Sequence, residues 1–126
     1  MMRKKILIID DDNYMCGLMK DFLEERGFSA AFATNGITGL ELIEKYQPNM
    51  ILLDLNLPLM HGSKVLSEIN KRFPNIPVLI LSGDKEPETV RDVISKGACE
   101  FIHKPISLSG LLAHYILPLL RPVSLF

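Results

Sequence analysis

Cysteine is scarce in this sequence, and the two present are not placed to act together. Cys16 and Cys99 have neither a Cys-x-x-Cys spacing nor a histidine at a ligand interval, so they read as free thiols of a reducing compartment. A basic stripe is missing as well. Fourteen Lys and Arg against fifteen Asp and Glu leave a formal net charge of −1, which argues against direct binding of nucleic acid. No apolar run is long enough to make a transmembrane helix. The opening Met1-Met2-Arg3-Lys4-Lys5 lacks the longer apolar core and small-residue cleavage site of a signal peptide. These absences lead to the expectation of a cytoplasmic protein that does not bind membranes. Repeats, low-complexity segments and linkers are also absent. A length of 126 residues with 48% apolar content suits one domain over residues 1–126.

What is present is a regular alternation of strand and helix patterns. Lys5 to Ile9 reads as a strand, followed by a helix with Met15, Leu18, Met19, Phe22 and Leu23 on one face and Gly27 at its end. Phe28 to Ala33 is a weaker, Ala-rich strand, expected near a sheet edge. Asn35 opens a helix carrying Ile37, Leu40, Leu42 and Ile43, which ends before Pro48. Met50 to Leu53 is an all-apolar strand, and Val65, Leu66 and Ile69 mark the next helix. Val78 to Leu81 is a further strand, with a helix from Pro87 that stops by Gly97. Phe101 to His103 makes the fifth strand. The last helix begins near Ser107 with Leu108, Leu111, Leu112, Tyr115 and Ile116 inward, and Pro118 disrupts or ends it. Five such units predict an α/β fold: a five-stranded parallel sheet in flavodoxin-like order 2-1-3-4-5, with helices on both faces.

The residues that end the strands carry the chemistry. Strand 1 runs into Asp10, Asp11 and Asp12, strand 3 into Asp54, strand 4 into Ser82 and strand 5 into Lys104. In a parallel sheet all of these fall on the carboxyl edge, where ligands bind. Crowded carboxylates repel one another unless a cation sits among them, and hard oxygen ligands favour Mg2+ or Ca2+. Taken alone, Asp10 and Asp11 could equally cap a helix; the other strand ends favour the metal reading. Asp12 reads as an exposed residue or helix cap. Carboxylates, a hydroxyl and an ammonium together suit phosphoryl transfer to a carboxylate. Asp54, standing alone after its strand, is the natural nucleophile.

Four segments in order carry a resemblance. They are residues 6–12 (Ile6 to Asp12), 50–58 (Met50 to Pro58), 77–83 (Pro77 to Gly83) and 97–105 (Gly97 to Pro105). With them the chain resembles the receiver domain of two-component response regulators over nearly its whole length. The resemblance implies that Asp54 is the phosphoacceptor and that Mg2+ is held by Asp10, Asp11, Asp54 and the backbone carbonyl of Asn56. It implies that Lys104 pairs with the phosphoryl group, that Ser82 and Phe101 are the switch pair, and that the Lys104–Pro105 bond is cis. The implied partners are a histidine kinase or histidine phosphotransfer protein upstream, and a protein target or an output domain outside this chain downstream. The domain would signal rather than serve as an enzyme, while catalysing its own phosphorylation and dephosphorylation.

Several positions depart from the family pattern. His61 stands where an Asp usually precedes the Gly, and Gly83 replaces the commoner Ala beside the switch hydroxyl. Asn56 and Asp84 occupy positions that tune hydrolysis; both are polar, which with Gly83 implies a short-lived phosphoryl group. Gly17 lies opposite the apolar stripe of helix 1, either by neutral drift or to let a kinase helix approach. From Ser107 onward the only formally charged side chain is Arg121, which argues against dimerisation through charged pairs on the last helix. Residues 106–126 would be that helix and an apolar tail, Val123, Leu125 and Phe126, which packs back, meets a partner or is a cut end. A haloacid-dehalogenase-type phosphatase fits less well, because Asn56 stands where its second Asp belongs. A flavodoxin would need a phosphate loop where Asp10, Asp11 and Asp12 stand. A degenerate, non-phosphorylated receiver serving as an interaction module conflicts with the complete set of core positions.

Overall fold

Four of the five strands are apolar on both faces, so each must be covered on both sides, and the chain achieves this by returning through a helix after every strand. The computed structural model describes residues 2–122. Its elements are β1 (Lys5–Ile9), α1 (Asn13–Glu25), β2 (Ser29–Ala33), α2 (Gly36–Tyr46), β3 (Met50–Asp54), α3 (Gly62–Arg72), β4 (Val78–Ser82), α4 (Pro87–Ser95), β5 (Glu100–His103) and α5 (Leu108–Leu111). A π-helical segment, Leu112–Ile116, continues α5. All strand pairs are parallel, in the order β2-β1-β3-β4-β5. The flavodoxin-like α/β fold is therefore present, with the Ala-rich β2 at an edge.

Alternate strand residues feed two cores. Ile6, Ile8, Leu52, Leu79 and Ile102 pack with Cys16, Met19 and Leu23 of α1 and with Leu111 and Ile116. Leu7, Ile9, Ile51, Leu53 and Ile80 pack with Leu40 and Ile43 of α2, Val65 and Ile69 of α3, and Val93 of α4. The helix starts follow local chemistry. Asp12 accepts from the Met15 N–H, Asn35 from the Thr38 N–H and Ser107 from the Gly110 N–H, and Pro87 sits in the first turn of α4.

Three sequence expectations need correction. In α1, Met15 and Leu18 are about two-fifths exposed, and Cys16 takes the core position instead. The arc facing the sheet is centred on Cys16, Met19 and Leu23, so Met15 and Leu18 fall on its flank. Ile37 is displaced in the same way from α2, which seats Gly36 and Gly39 against the molecule. In α5, Leu112 and Tyr115 are only partly buried, while Leu111 and Ile116 are fully inside. Here the Leu117 N–H donates to the Leu112 carbonyl, five residues back, at 2.9 Å. That wider turn brings Ile116 under Leu111 and precedes Pro118, which has no N–H to give. The chain makes one more turn, with the Leu120 N–H on the Ile116 carbonyl, and buries Leu120. Val123, Leu125 and Phe126 lie outside the described residues. Among the described residues, no helix is long and apolar enough to cross a membrane.

Candidate functional site

Because every strand runs the same way, Asp10, Asp54, Ser82 and Lys104 arrive at one edge. Asp10 and Asp54 are buried and Asp11 is exposed, yet one carboxylate oxygen from each lies within 4.8 Å of the others. Backbone amides fix the two buried carboxylates. Asp10 Oδ1 accepts from the Asp12 N–H at 3.0 Å, and Asp54 Oδ1 accepts from the Asn56 N–H at 3.1 Å. The opposite oxygens are spanned by Lys104, whose Nζ donates to Asp10 Oδ2 at 3.0 Å and to Asp54 Oδ2 at 3.5 Å. The Lys104 N–H in turn donates to the Ser82 carbonyl, and the Lys104–Pro105 bond is cis.

Burial pushes the Asp54 carboxyl up; the Asn56 amide and the Lys104 charge oppose this, and Asp10 adds to it. Burial acts downward on Lys104, but its bonds and attraction to Asp10 and Asp54 outweigh this, so it is raised overall. Three carboxylates therefore face one ammonium. That excess of negative charge and the all-oxygen donor set fit a hard divalent cation.

The loop after β3 is shaped by its backbone. The Leu57 N–H donates to the Leu55 carbonyl, and the Met60 N–H to the Pro58 carbonyl at 2.8 Å. The second bond closes a γ-turn around Leu59, which has φ 72° and a side chain 78% exposed. Gly62 ends the loop against β3. A Cβ there would overlap the Asp54 carbonyl and the Leu55 Cα, so only glycine fits. His61 accepts from the Ser63 N–H through Nδ1 and so caps α3.

On the far side, Ser82 is fully buried and its Oγ accepts from the Asp84 N–H at 3.0 Å. Phe101 is buried, its ring edge-on to His103 at 5.0 Å between centroids. Gly83 is exposed with open space where a Cβ would sit. Asp84, read from sequence only as a polar residue at a position that tunes hydrolysis, is turned toward α4. It accepts from the Glu86 N–H at 2.8 Å and from Thr89 Oγ1 at 2.9 Å. Two residues were missed from sequence. Thr89 carries no motif that marks it. Cys16, read only as a free thiol, donates its Sγ–H to the Asp10 carbonyl beneath the acidic cluster, and burial, then Asp10 and Asp12, push its thiol up to about 12. Its only sequence signal is its place on the inner arc of α1.

Two hollows flank this edge. One of about 290 Å³ is lined by Asn56, His61, Ser82 and Asp84. The other, about 450 Å³ and largely apolar, runs between α1 and the β5–α5 loop, lined by Met15, Leu18, Ile106 and Leu108 and reaching Asp10 and Lys104.

The sequence model of the response regulator receiver domain matches residues 6–116. The chain belongs to this family. Receiver domains are signalling domains of two-component systems. This receiver is 33% identical over 109 residues to chemotaxis protein CheY of Thermotoga maritima, covering 86% of this chain and 91% of that protein. It is 37% identical over 106 residues to the "Probable C4-dicarboxylate response regulator DctR" of Bacillus subtilis, covering 82% of this chain but 47% of that protein. The chain thus spans about half of the longer relative. A CheY-like receiver from Methanospirillum hungatei superposes with a TM-score of 0.88 at 30% identity, over 94% of each chain. A response regulator from Burkholderia pseudomallei, described with a phosphorylated aspartic acid, a calcium ion and citrate, superposes at 0.81 with 27% identity, covering 87% of this chain and 65% of that one.

Proposed function

We propose that this receiver is a switch phosphorylated on Asp54. The observation that carries the reading is the placement of the Asp54 carboxylate at the end of β3, between an ammonium donor and the acidic cluster. A histidine kinase or histidine phosphotransfer protein presents a phosphohistidine. An Asp54 oxygen attacks phosphorus, the P–N bond breaks, and the imidazole nitrogen leaves with the electron pair and is reprotonated. Lys104, already within reach of Asp54, turns from Asp10 to the phosphoryl oxygens. Asp10, Asp11, Asp54 and the Asn56 carbonyl are the groups that would hold Mg2+, which when bound offsets the charge of the incoming phosphate. Support for such a site comes from the Burkholderia pseudomallei neighbour with its phosphorylated aspartic acid and calcium ion. The apolar hollow beside α1 offers a donor protein a surface within reach of the site.

The acyl phosphate shifts an equilibrium of the switch pair, Ser82 and Phe101, and so alters the α4–β5 surface read by a protein target or an output domain. Water removes the phosphoryl group, with its approach lined by Asn56, Gly83 and Asp84. The test is Mg2+-dependent labelling by a small phosphodonor of the wild type and of Asp54→Asn. Stoichiometric, acid-stable and base-labile label on the wild type alone supports the reading. Equal labelling of both proteins sinks it.

A further inference from the structure

The Ser82 hydroxyl, the group expected to turn toward a phosphoryl on Asp54, already has a partner in the loop that follows it. Its Oγ is buried and accepts from the Asp84 N–H, so the switch hydroxyl is engaged with the β4–α4 loop. The same residue that bonds Ser82 through its backbone bonds α4 through its side chain. Asp84 Oδ1 accepts from the Glu86 N–H, and Oδ2 accepts from the Thr89 hydroxyl, one turn into the helix. Between the two anchors stands Gly83, exposed and with nothing near its missing Cβ, so no side-chain packing steadies the loop there. Among the described residues Asp84 has no ion pair, so its hold on α4 consists of these bonds. Glu86, the residue at the cap of α4, makes no side-chain cap bond, which leaves Asp84 to satisfy the helix from two residues upstream.

We propose that Asp84 and Thr89 form a latch, which ties the switch hydroxyl to helix α4 and sets how readily Ser82 can turn to the phosphoacceptor. The proposal deepens the reading of Asp54 as phosphoacceptor and rests on it. Thr89 touches neither Asp54 nor the acidic cluster; it is a positioning residue acting through Asp84. Its hydroxyl donates to the Asp84 carboxylate at 2.9 Å in a partly solvated setting, which keeps the bond modest. The Glu86 amide and then the Thr89 hydroxyl hold the Asp84 carboxyl below the ordinary carboxylate range, which keeps it an ionised acceptor at neutral pH. When Ser82 turns away, the Asp84 N–H loses its acceptor and the loop must move, and the latch resists that movement. The strength of one side-chain bond therefore enters the equilibrium between the two states of the switch.

Thr89→Val removes the hydroxyl and nearly keeps the shape, whereas Thr89→Ser keeps the hydroxyl. In the unphosphorylated protein, relaxation-dispersion NMR of the amides from Ser82 to Thr89 reads the minor loop conformer. The expected result is a population raised about five-fold in Thr89→Val, as loss of one modest hydrogen bond gives, and restored toward wild type in Thr89→Ser. An unchanged population in Thr89→Val, or the same rise in Thr89→Ser, overturns the latch. With a small phosphodonor and Mg2+, the labelling rate of Thr89→Val should rise by a similar factor at unchanged stoichiometry. In a Ser82→Ala background that rise should vanish, because the latch acts through the Ser82 hydroxyl. A rise that persists there shows a role confined to α4 and overturns the proposal. Absence of label from every protein, wild type included, would overturn the phosphoacceptor reading, and the NMR result would still decide the latch.

Discussion

Leu59 pays twice for its position: its backbone takes a left-handed conformation that costs a non-glycine residue free energy, and its side chain stands in water. Neither cost is returned by the fold, since the γ-turn around it needs only the Pro58 carbonyl and the Met60 amide. Leu59→Gly should therefore stabilise the protein, by about 1 kcal/mol less the greater freedom of glycine in the unfolded chain. Urea unfolding of the two proteins measures this; a glycine variant of lower stability would show that the exposed side chain has a packing role. At this scale the sequence was legible wherever identity dictates chemistry. Asp10, Asp54 and Lys104 could be placed because each follows an apolar strand, and Asp12 could be read as a cap because little else suits an aspartate before a helix. The Asp84 carboxylate was not legible. Whether it faces solvent, the site or Thr89 is a choice among rotamers separated by single hydrogen bonds, and no sequence pattern encodes it.

Each helix had a readable existence and a less readable face. Apolar periodicity located α1, but Met15 and Leu18 fit the periodic stripe as well as Cys16 does. The sheet decides between them, because α1 is set down on Ile6 and Ile8 and the arc centred on Cys16, Met19 and Leu23 reaches them. The π segment after α5 is similar: Pro118 announced a disruption, while the wider turn ahead of it answers a need to bury Leu111, Ile116 and Leu120 together. The junction of β3 with α3 is more rigidly determined. Gly62 brings the first turn of α3 against the Asp54 carbonyl, where a methyl group would have to displace backbone. Gly62→Ala is expected to cost about 2 kcal/mol or more, as overpacking does. Because the displaced strand end carries Asp54, labelling of Asp54 should fall as well. Normal stability together with normal labelling would show that α3 can slide without disturbing β3.

Over the whole molecule, the site trades stability for function. Burial raises the Asp54 carboxyl, so the native state holds its proton more tightly than the unfolded chain does. Stability from this group is present below the ordinary carboxylate range and is lost as pH rises through the range to the raised native value. Asp54→Asn should thus be more stable than wild type near neutral pH in metal-free buffer, with the difference closing below about pH 4. A divalent cation should recover stability for the wild type, about 2.7 kcal/mol at a hundredfold excess over its dissociation constant, and far less for the variant. Thermal unfolding at the two pH values, with and without Mg2+, reads all of this; a variant no more stable than wild type near neutral pH would falsify it. One contact in the site has a further consequence. Lys104 and Asp10 are 94 residues apart in sequence, and the second partner of Lys104 comes from β3, between them. The bridge from Lys104 to the two aspartates therefore forms only once β5 has joined the sheet beside β4. A chain still emerging from the ribosome, or one clipped before β5, carries the three aspartates without the ammonium that spans two of them, so a complete cluster also certifies that β5 has been made and folded into place.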